Sequence, residues 1–233
     1  TVGADIKLTK KSLGLKLLAI IQARTSSKRF NNKILFPIYG TPLIGHVVEK
    51  LRKSKKIKQI IVATSNHKTD NKLVKYLKKE KIKFFKGDLN NVARRLYKLA
   101  QSKKAKYFVR ISGDSPLIDY KLVDEALEIL YKNKKEYDLV TNVFPRTFPR
   151  GQSVEIIKTE TLGKNLKKFS KLEQEHVTVY FYKNYKNYLI KNFTFKNKTK
   201  IMKLSIDTKK DLVKILNKFD EKEIKNFLLK KWK

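Results

Sequence analysis

The sequence contains no cysteine, and this absence excludes disulfide bonds, thiolate zinc sites and cysteine nucleophiles. It also lacks an apolar run long enough to span a bilayer. Residues 1–14 contain no apolar stretch of the kind found in secretory signals. We therefore expect a soluble cytoplasmic protein without a membrane partner, and we expect residues 1–15 to be a tail or linker, whether of this chain or of a longer one.

Several catalytic motifs are missing as well. There is no G-x-x-x-x-G-K-[ST] sequence, so a P-loop is excluded, and no G-x-G-x-x-G follows the first apolar run. No G-x-S-x-G is present for a hydrolase nucleophile. The three histidines, His46, His67 and His176, are not spaced as a zinc site.

The charge is strongly one-sided, with a formal net charge of +35. Such a surplus favours an anionic partner, including nucleic acid. However, only eight of the 56 basic residues are arginine, the residue preferred for bidentate phosphate and base recognition. The lysines are scattered over the predicted helices, as expected if the composition reflects A/T-rich codons. Under either interpretation the positive field attracts an anionic substrate.

One stretch, residues 17–35, organises the prediction. It begins with the apolar run LLAII, typical of a strand buried on both faces, and turns abruptly into RTSSKRFNNK. The cations and hydroxyls of this segment therefore lie at the carboxyl end of a buried strand, where open α/β sheets bind ligands. Backbone N–H groups, hydroxyls and fixed cations together suit a polyphosphate. The alternative is a basic loop that faces solvent.

Strands and helices then alternate along the chain, which predicts an α/β fold with a mostly parallel, doubly wound sheet. The length of 233 residues suits one such domain with a small appendage. We assign the main domain to residues 16–220, an inserted subdomain to about 144–200, and an amphipathic tail to 221–233. The predicted strands are Leu17–Ala23, Lys58–Ala63, Lys81–Lys86, Tyr107–Ser112, Tyr137–Val143, Val154–Ile157, Tyr188–Phe195 and Ile201–Ile206; the later predicted helices are Leu172–Tyr182 and Asp211–Phe219, the last capped by Asp207-Thr208.

Polar residues follow most of the predicted strands. Because the carboxyl ends of parallel strands meet at one edge, the basic loop should meet two carboxylates there, Asp114 and Asp207. Two carboxylates without histidine or cysteine favour a hard cation such as Mg²⁺ held against substrate phosphates. Cations and a metal in one site indicate phosphoryl or nucleotidyl transfer. The alternative is structural, with Asp114 in a turn before Pro116 and Asp207 as a helix N-cap.

The motifs also resemble a known family. The sequence IQARTSSKRFNNK, then GTPL, ATS, GD, VARR, RISGDSPLID, TN, PRTFPRG, VE, EHVT and IDT occur in order over about residues 17–215. Together they resemble the SpsF-like cytidylyltransferases of spore-coat polysaccharide biosynthesis, which are related to the CMP-sialate and CMP-deoxyoctulosonate synthetases. Two departures occur: Ser26 replaces a usual glycine, and Gln152-Ser153 replaces a usual Leu-Asp. The second leaves the identity of the sugar open.

The resemblance implies a Rossmann-like fold, CTP and Mg²⁺ as nucleotide and cofactor, a keto-sugar acid as acceptor, and a homodimer. It implies catalytic roles for Arg24, Lys33 and Asp114, and a metal site at Asp114 and Asp207. Glu175 and His176 would contact either the acceptor or a second subunit. The implied nucleotide site comprises Gln22, Ala23, Arg24, Ser27, Arg29, Lys33, Thr64, Ser65, Arg95, Ser112 and Gly113, and the implied acceptor site comprises Asn142, Arg146, Gln152, Glu155, Glu175 and His176.

Two alternatives to this activity stay open at this point. One is a nucleotidyltransferase that uses another nucleoside triphosphate or a sugar-phosphate acceptor. The other is a nucleic-acid-binding protein, for which the best candidate segment is 180–188, where tyrosines and a phenylalanine alternate with lysines. The competing interpretation of that segment is an aromatic core, and we expect no specific nucleic-acid partner.

Overall fold

The computed structural model describes residues 17–27, 29–132, 135–195 and 203–216 of the chain. Nine strands and eight helices are found within these residues. The strands are β1 Leu18–Gln22, β2 Pro37–Ile38, β3 Thr41–Pro42, β4 Gln59–Ser65, β5 Phe84–Gly87, β6 Tyr107–Ser112, β7 Leu139–Thr141, β8 Glu155–Lys158 and β9 Ile190–Asn192. The helices are α1 Leu43–Arg52, α2 Asn71–Lys79, α3 Val92–Ser102, α4 Tyr120–Lys132, α5 Thr159–Asn165, α6 Lys171–Glu175, α7 Val179–Lys183 and α8 Lys209–Leu216.

Seven of these strands form one sheet in the order β5-β4-β1-β6-β8-β7-β9. β1 lies between β4 and β6 and is parallel to both. Only β8 runs against its neighbours, because it is antiparallel to both β6 and β7. β2 and β3 form a separate two-residue hairpin. The prediction of a mostly parallel α/β sheet is therefore confirmed.

Both faces of the sheet are covered by helices. Alternate residues of β1 enter opposite layers: Ala19 and Ile21 join one apolar cluster, and Leu18 and Ile20 join the other. The first cluster includes apolar residues of α1, α2, α4 and α8, and the second those of α3, α5 and α7. This two-sided burial explains why β1 is a continuous apolar run rather than an alternating one.

One strand and one helix differ from their predicted bounds for local reasons. β5 begins at Phe84 rather than at residue 81, because Lys81 has a φ of 52° in the turn after α2. The predicted helix 172–182 is two short helices, α6 and α7, because α6 ends at Glu175. A capping box between Ser170 and Glu173 fixes the start of α6.

The C-terminal elements also differ from prediction. Residues 203–206 form no strand, and their regular pairing is limited to one bridge between Arg150 and Lys203. α8 begins at Lys209, where Thr208 and Asp211 hydrogen-bond reciprocally, so Thr208 caps the helix and Asp207 does not. The predicted tails, 1–15 and 221–233, lie outside the described residues. Among the helices described, none is long and apolar enough to cross a bilayer.

Candidate active site

A cleft of about 740 Å³ opens at the carboxyl ends of β1 and β6. It brings the basic loop after β1 together with the turn after β6, as the strand-end argument predicted. The cleft also reaches the loop before α3 and the end of α6. Thirteen residues of the predicted site line it: Gln22, Ala23, Arg24, Ser27, Arg29, Lys33, Arg95, Ser112, Gly113, Asp114, Glu175, His176 and Asp207.

The loop after β1 is closed by its own backbone. The carbonyl oxygen of Thr25 accepts hydrogen bonds from the N–H groups of Ser27 and Asn32, both at 2.9 Å. Asn32, with a φ of 55°, reverses the chain into a short 3₁₀ turn that begins at Lys33. This compact loop brings Arg24 and Lys33 to the same cleft although they are nine positions apart along the chain.

Asp70 anchors this loop from beneath and was not among the predicted site residues. One carboxylate oxygen accepts from the backbone N–H and the hydroxyl of Thr25, at 2.7 Å each. The other accepts from the backbone N–H and the hydroxyl of Ser65. Burial opposes ionisation, but hydrogen bonds from Ser65 and Thr25 outweigh it and lower the pKa of Asp70. In the sequence Asp70 is an aspartate just before a predicted helix, and such a residue is equally typical of a helix cap.

Asp70→Asn is expected to lower the free energy of unfolding by about 1–3 kcal/mol, because the amide loses one acceptor and leaves buried donors unpaired. Since the folded pKa is depressed, this stabilisation is complete above the unfolded pKa of about 3.9 and is lost as pH falls through the folded value. Urea unfolding should therefore show a difference in the free energy of unfolding between the wild type and Asp70→Asn at pH 7, and this difference should become smaller at acid pH. The exposed Glu80→Gln at the end of α2 is the control, and equal stability of both variants at pH 7 would contradict the anchor.

Lys33 joins the two predicted metal ligands. Its Nζ lies 2.8 Å from Asp114 Oδ2, 3.4 Å from Asp207 Oδ1 and 2.9 Å from the carbonyl oxygen of Ile206. Lys33 is 8% exposed. The two carboxylates therefore converge on one cation, which is the arrangement expected if they share a metal ion.

The chain segment that carries Asp207 is held in place by backbone contacts. The N–H of Ile206 donates to the carbonyl of Asp114 at 2.9 Å, and that of Leu204 donates to the carbonyl of Arg150 at 2.6 Å. Gly151 has a φ of +99°, and a Cβ there would lie 2.4 Å from the carbonyl carbon of Leu204. Glycine is thus required for the segment to approach the turn after β6.

Asp207 is surrounded by cations. It contacts Arg29 at 3.1 Å and Lys203 at 2.9 Å in addition to Lys33. Burial opposes its ionisation, but the bond from Lys203 and the neighbouring charges outweigh it and lower the pKa of Asp207. Among the residues described, no group of three or more His, Cys, Asp or Glu side chains is placed to hold a metal. The donor set nevertheless fits Mg²⁺, which commonly uses one or two carboxylates and completes its shell with water and phosphate oxygens.

Two further arginines line the cleft, Arg24 and Arg95, and they favour an anionic ligand. Arg24 pairs with Glu175 at 2.6 Å. Arg95 is buried, and its Nη1 donates to the carbonyl of Asp88, but within the described part of the chain its Nε has no hydrogen-bond partner. Burial and the nearby charge of Arg24 lower the pKa of Arg95 to about 10. A buried guanidinium with a free donor is costly unless a ligand completes its bonds.

Arg110 lines the cleft, and two neighbouring side chains fix its orientation. It was not among the predicted site residues. Its Nε donates to Gln22 Oε1 at 2.8 Å, and its Nη1 donates to Glu155. The Tyr182 hydroxyl donates to the other Glu155 oxygen at 2.6 Å and lies 3.0 Å from the Thr141 hydroxyl. β6 and β8 place Arg110 directly opposite Glu155, so the pairing follows from strand register.

Two residues predicted to bind nucleotide are placed elsewhere. Thr64 and Ser65 are fully buried and do not line the cleft. Ser65 donates to Asp70, and the Thr64 hydroxyl has no partner within the described residues. Both belong to β4, which β1 separates from β6 and the turn that carries Asp114. Their contact with nucleotide stays a prediction that this placement does not favour, and Ser65 reaches the loop through Asp70.

The predicted acceptor residues on the 142–155 segment are also displaced. Asn142 and Gln152 are fully buried: Asn142 bonds the backbone of Gln152 and Val154, and the Gln152 side chain bonds the backbone of Leu117 and Asp119. Arg146 donates to Ser153 Oγ at 3.0 Å and lies outside the cleft. The two carboxylate oxygens of Glu155 accept hydrogen bonds from Arg110 and Tyr182. The four predicted contacts with an acceptor therefore stay predictions that this placement does not favour, because these polar atoms bond within the protein.

Six lining residues were missing from the predicted site. Arg110 and Ser26 are polar and belong to motifs already noted. Three of the others lie in the loop before α3 and at the start of that helix, and Ile34 lies in the 3₁₀ turn that begins at Lys33. They are Ser26, Ile34, Leu89, Asn90, Val92 and Arg110.

Comparison with known proteins gives a consistent result. The family model described as Cytidylyltransferase matches residues 18–231. The spore coat polysaccharide biosynthesis protein SpsF of Bacillus subtilis is 28% identical over 204 residues, covering 84% of this chain and 82% of that protein. The structure of a cytidylyltransferase from Leptospira borgpetersenii has a TM-score of 0.81 and 30% identity, covering 85% and 84% of the two chains. A CMP:2-keto-3-deoxy-manno-octonic acid synthetase complexed with CTP shares the fold, with a TM-score of 0.68 and 17% identity over 89% and 99% of the chains.

Proposed function

This chain belongs to the cytidylyltransferase family, and from that premise we propose that it transfers CMP from CTP to a hydroxyl of a keto-sugar acid. A bond forms between the acceptor oxygen and the α-phosphorus, and the bond from that phosphorus to the oxygen bridging to the β-phosphate breaks. Pyrophosphate leaves, and the hydroxyl proton passes to solvent. One observation carries this proposal: a single cleft combines the cations of the loop after β1 with two converging carboxylates.

The cations of the cleft suit the triphosphate. Arg24, Arg29 and Lys33, with the hydroxyl of Ser27, would bind the phosphates and stabilise the charge that builds up on the leaving pyrophosphate. Arg95 lines the same cleft and would add its positive charge beside that ligand. The loop is closed on itself and anchored by Asp70, so its backbone is positioned before the substrate binds. Such preorganisation favours electrostatic stabilisation of the transition state.

Asp114 and Asp207 would hold the Mg²⁺ ion that we propose as cofactor. When bound, such an ion neutralises charge on the transferring phosphoryl group and lowers the pKa of an attacking hydroxyl. The chain's own contribution is to hold two carboxylates close together through Lys33 and through the backbone bond between Ile206 and Asp114.

The acceptor would enter on the side of β6. Arg110 lines the cleft there and is oriented by Gln22 and Glu155, while Glu175 and His176 line it from the end of α6. A fixed guanidinium suits a sugar carboxylate, which it can bind through two parallel hydrogen bonds. The relative named for spore-coat polysaccharide biosynthesis and the synthetase named for a keto-sugar acid support this class of acceptor, and with it a role in making surface polysaccharide precursors in the cytoplasm.

The alternative of a nucleic-acid interface is disfavoured by the aromatic segment that best supported it. Phe181 is buried in the core, and its ring contacts those of Phe169 and Tyr188. Tyr182 is bonded to Glu155 and stacked on Phe144 at 4.7 Å. These rings serve the fold rather than a stacking platform for bases. The predicted homodimer stays a prediction, which sedimentation velocity can test.

The decisive experiment has two stages. Thermal unfolding is measured with each of the four nucleoside triphosphates and Mg²⁺, and then pyrophosphate release is followed with CTP and a panel of keto-sugar acids and neutral sugar phosphates. We expect stabilisation by CTP above the others and release only with an acidic sugar. Activity confined to a sugar phosphate would overturn the acceptor class, and tight nucleic-acid binding at physiological salt without any response to CTP would overturn the enzyme.

Arg24→Lys is expected to weaken CTP binding about tenfold, because an ammonium keeps the charge but cannot make two parallel bonds to a phosphate. Isothermal titration calorimetry with CTP measures the change. Arg52→Lys on the exposed side of α1 is the matched control. Equal CTP affinity for Arg24→Lys and the wild type would remove Arg24 from the phosphate site.

A further inference from the structure

All three N–H groups of the Lys33 ammonium are engaged by the protein itself. They reach Asp114, Asp207 and the carbonyl of Ile206, at 2.8, 3.4 and 2.9 Å. A lysine ammonium has three donors and no acceptor, so this set exhausts its hydrogen-bonding capacity. In this arrangement Lys33 has no donor left for a phosphate, although it lines the same cleft as Arg24 and Arg29.

The position of this ammonium is the one that a shared metal ion would need. It contacts both carboxylates from between them, and it is nearly excluded from solvent. A divalent cation placed against the same two oxygens would lie within a few ångströms of the ammonium, where like charges repel strongly in a partly buried site. The two cations therefore compete for the carboxylate pair.

The cleft contains the means to move Lys33 away. A triphosphate bound to the loop after β1 would bring several negative oxygens beside a lysine that belongs to that loop. The side chain is flexible, so its ammonium can exchange carboxylate partners for phosphate partners without a change of fold. Asp207 would keep Lys203 and Arg29 as counter-ions during that exchange.

We propose that Lys33 is a displaceable internal counter-ion that occupies the metal position in the free protein and couples metal binding to nucleotide binding. The inference rests on the proposed function, because the triphosphate is what draws the lysine away. By linkage the coupling is reciprocal, so the metal favours nucleotide by the same factor as the nucleotide favours metal. Metal binding before nucleotide is thereby suppressed.

The test uses Mn²⁺, whose free form is counted by electron paramagnetic resonance, and the intact chain without nucleotide. Lys33→Met should bind Mn²⁺ at least about tenfold more tightly than the wild type, within the range usual for such couplings. Lys203→Met removes the same charge next to Asp207 but not from between the carboxylates, and it should change Mn²⁺ affinity by less than about threefold, as a partly exposed charge does. Asp114→Asn combined with Lys33→Met should abolish the gain.

Equal gains in Lys33→Met and Lys203→Met would overturn the proposal in favour of a general charge effect. The wild type provides a second test that does not depend on the folding of a variant. Its Mn²⁺ affinity should rise when CTP is added, by more than the binding of Mn²⁺ to CTP itself explains. The absence of such a rise would overturn the coupling. CTP binding to the metal-free wild type is measured separately by calorimetry. Absence of that binding refutes the proposed function, whereas CTP binding without any coupling refutes only the role of Lys33.

Discussion

Asp114→Asn is expected to lower kcat about a thousand-fold, which is the largest effect predicted for any single substitution. A metal ion on phosphoryl oxygens supplies several kcal/mol of transition-state stabilisation, and about 1.4 kcal/mol corresponds to a factor of ten in rate. Asparagine keeps the shape of the side chain but removes the negative charge that would hold the ion. It also removes the charged partner that Lys33 Nζ contacts at 2.8 Å in the free protein.

Pyrophosphate release under saturating CTP and acceptor measures this change. Thermal unfolding of the variant confirms that it is folded, since Asp114 lies on a turn and its side chain is only partly buried. Glu128→Gln, at a surface ion pair with Lys56 on the far side of the molecule, should leave kcat unchanged. An Asp114→Asn rate within tenfold of the wild type would show that this carboxylate takes no direct part in catalysis.

Glu155→Ala is expected to lower the free energy of unfolding by about 3–5 kcal/mol, because it leaves the charge of Arg110 largely buried without its partner. The side chains of Arg110 and Glu155 are 15% and 5% exposed, so neither charge recovers its hydration when the other is removed. The Tyr182 hydroxyl loses its acceptor at the same time. Urea unfolding measures the loss.

The double variant Glu155→Ala with Arg110→Met is the control for this prediction, since removing both charges should restore much of the stability. Burial opposes ionisation of Glu155, but the charge of Arg110 and the bond from Tyr182 outweigh it and lower the pKa of Glu155. The pair therefore stabilises the fold above the unfolded glutamate pKa of about 4.3, and that stability is lost as pH falls through the lower folded value. An additive double variant would show that the two charges do not interact.

Several features of this protein were determined by the sequence alone. The apolar run that becomes β1 and the switch to RTSSKR located both the central strand and the basic loop that lines the cleft, because a strand buried on both faces has a distinctive composition. The parallel pairing of β1, β4, β5 and β6 followed from strand and helix alternation, whereas their order in the sheet was seen only in the structure. The motifs named the family, which is confirmed.

The expectation that polar residues after parallel strands meet at one edge of the sheet was correct for some residues and failed for others. It correctly brought Asp114, which follows β6, to the loop after β1. Asp207 reaches the same cleft although no strand precedes it, because the N–H of Ile206 bonds the carbonyl of Asp114. It failed for Thr64 and Ser65, which also follow an apolar run. Both side chains are fully buried, and that of Ser65 donates to Asp70. The sequence gives no sign of what covers them.

Only the tertiary structure decided the partners of the charged side chains. Arg110 meets Glu155 because β8 pairs with β6 in one particular antiparallel register, and a shift by one residue would send Glu155 to the opposite face. Lys33 lies between Asp114 and Asp207 because Gly151 lets residues 204 and 205 approach closely, which brings a residue 174 positions away in the chain to the loop after β1. Local sequence specifies strands and turns through short-range sterics and periodicity, whereas these contacts depend on packing between segments that are distant in sequence.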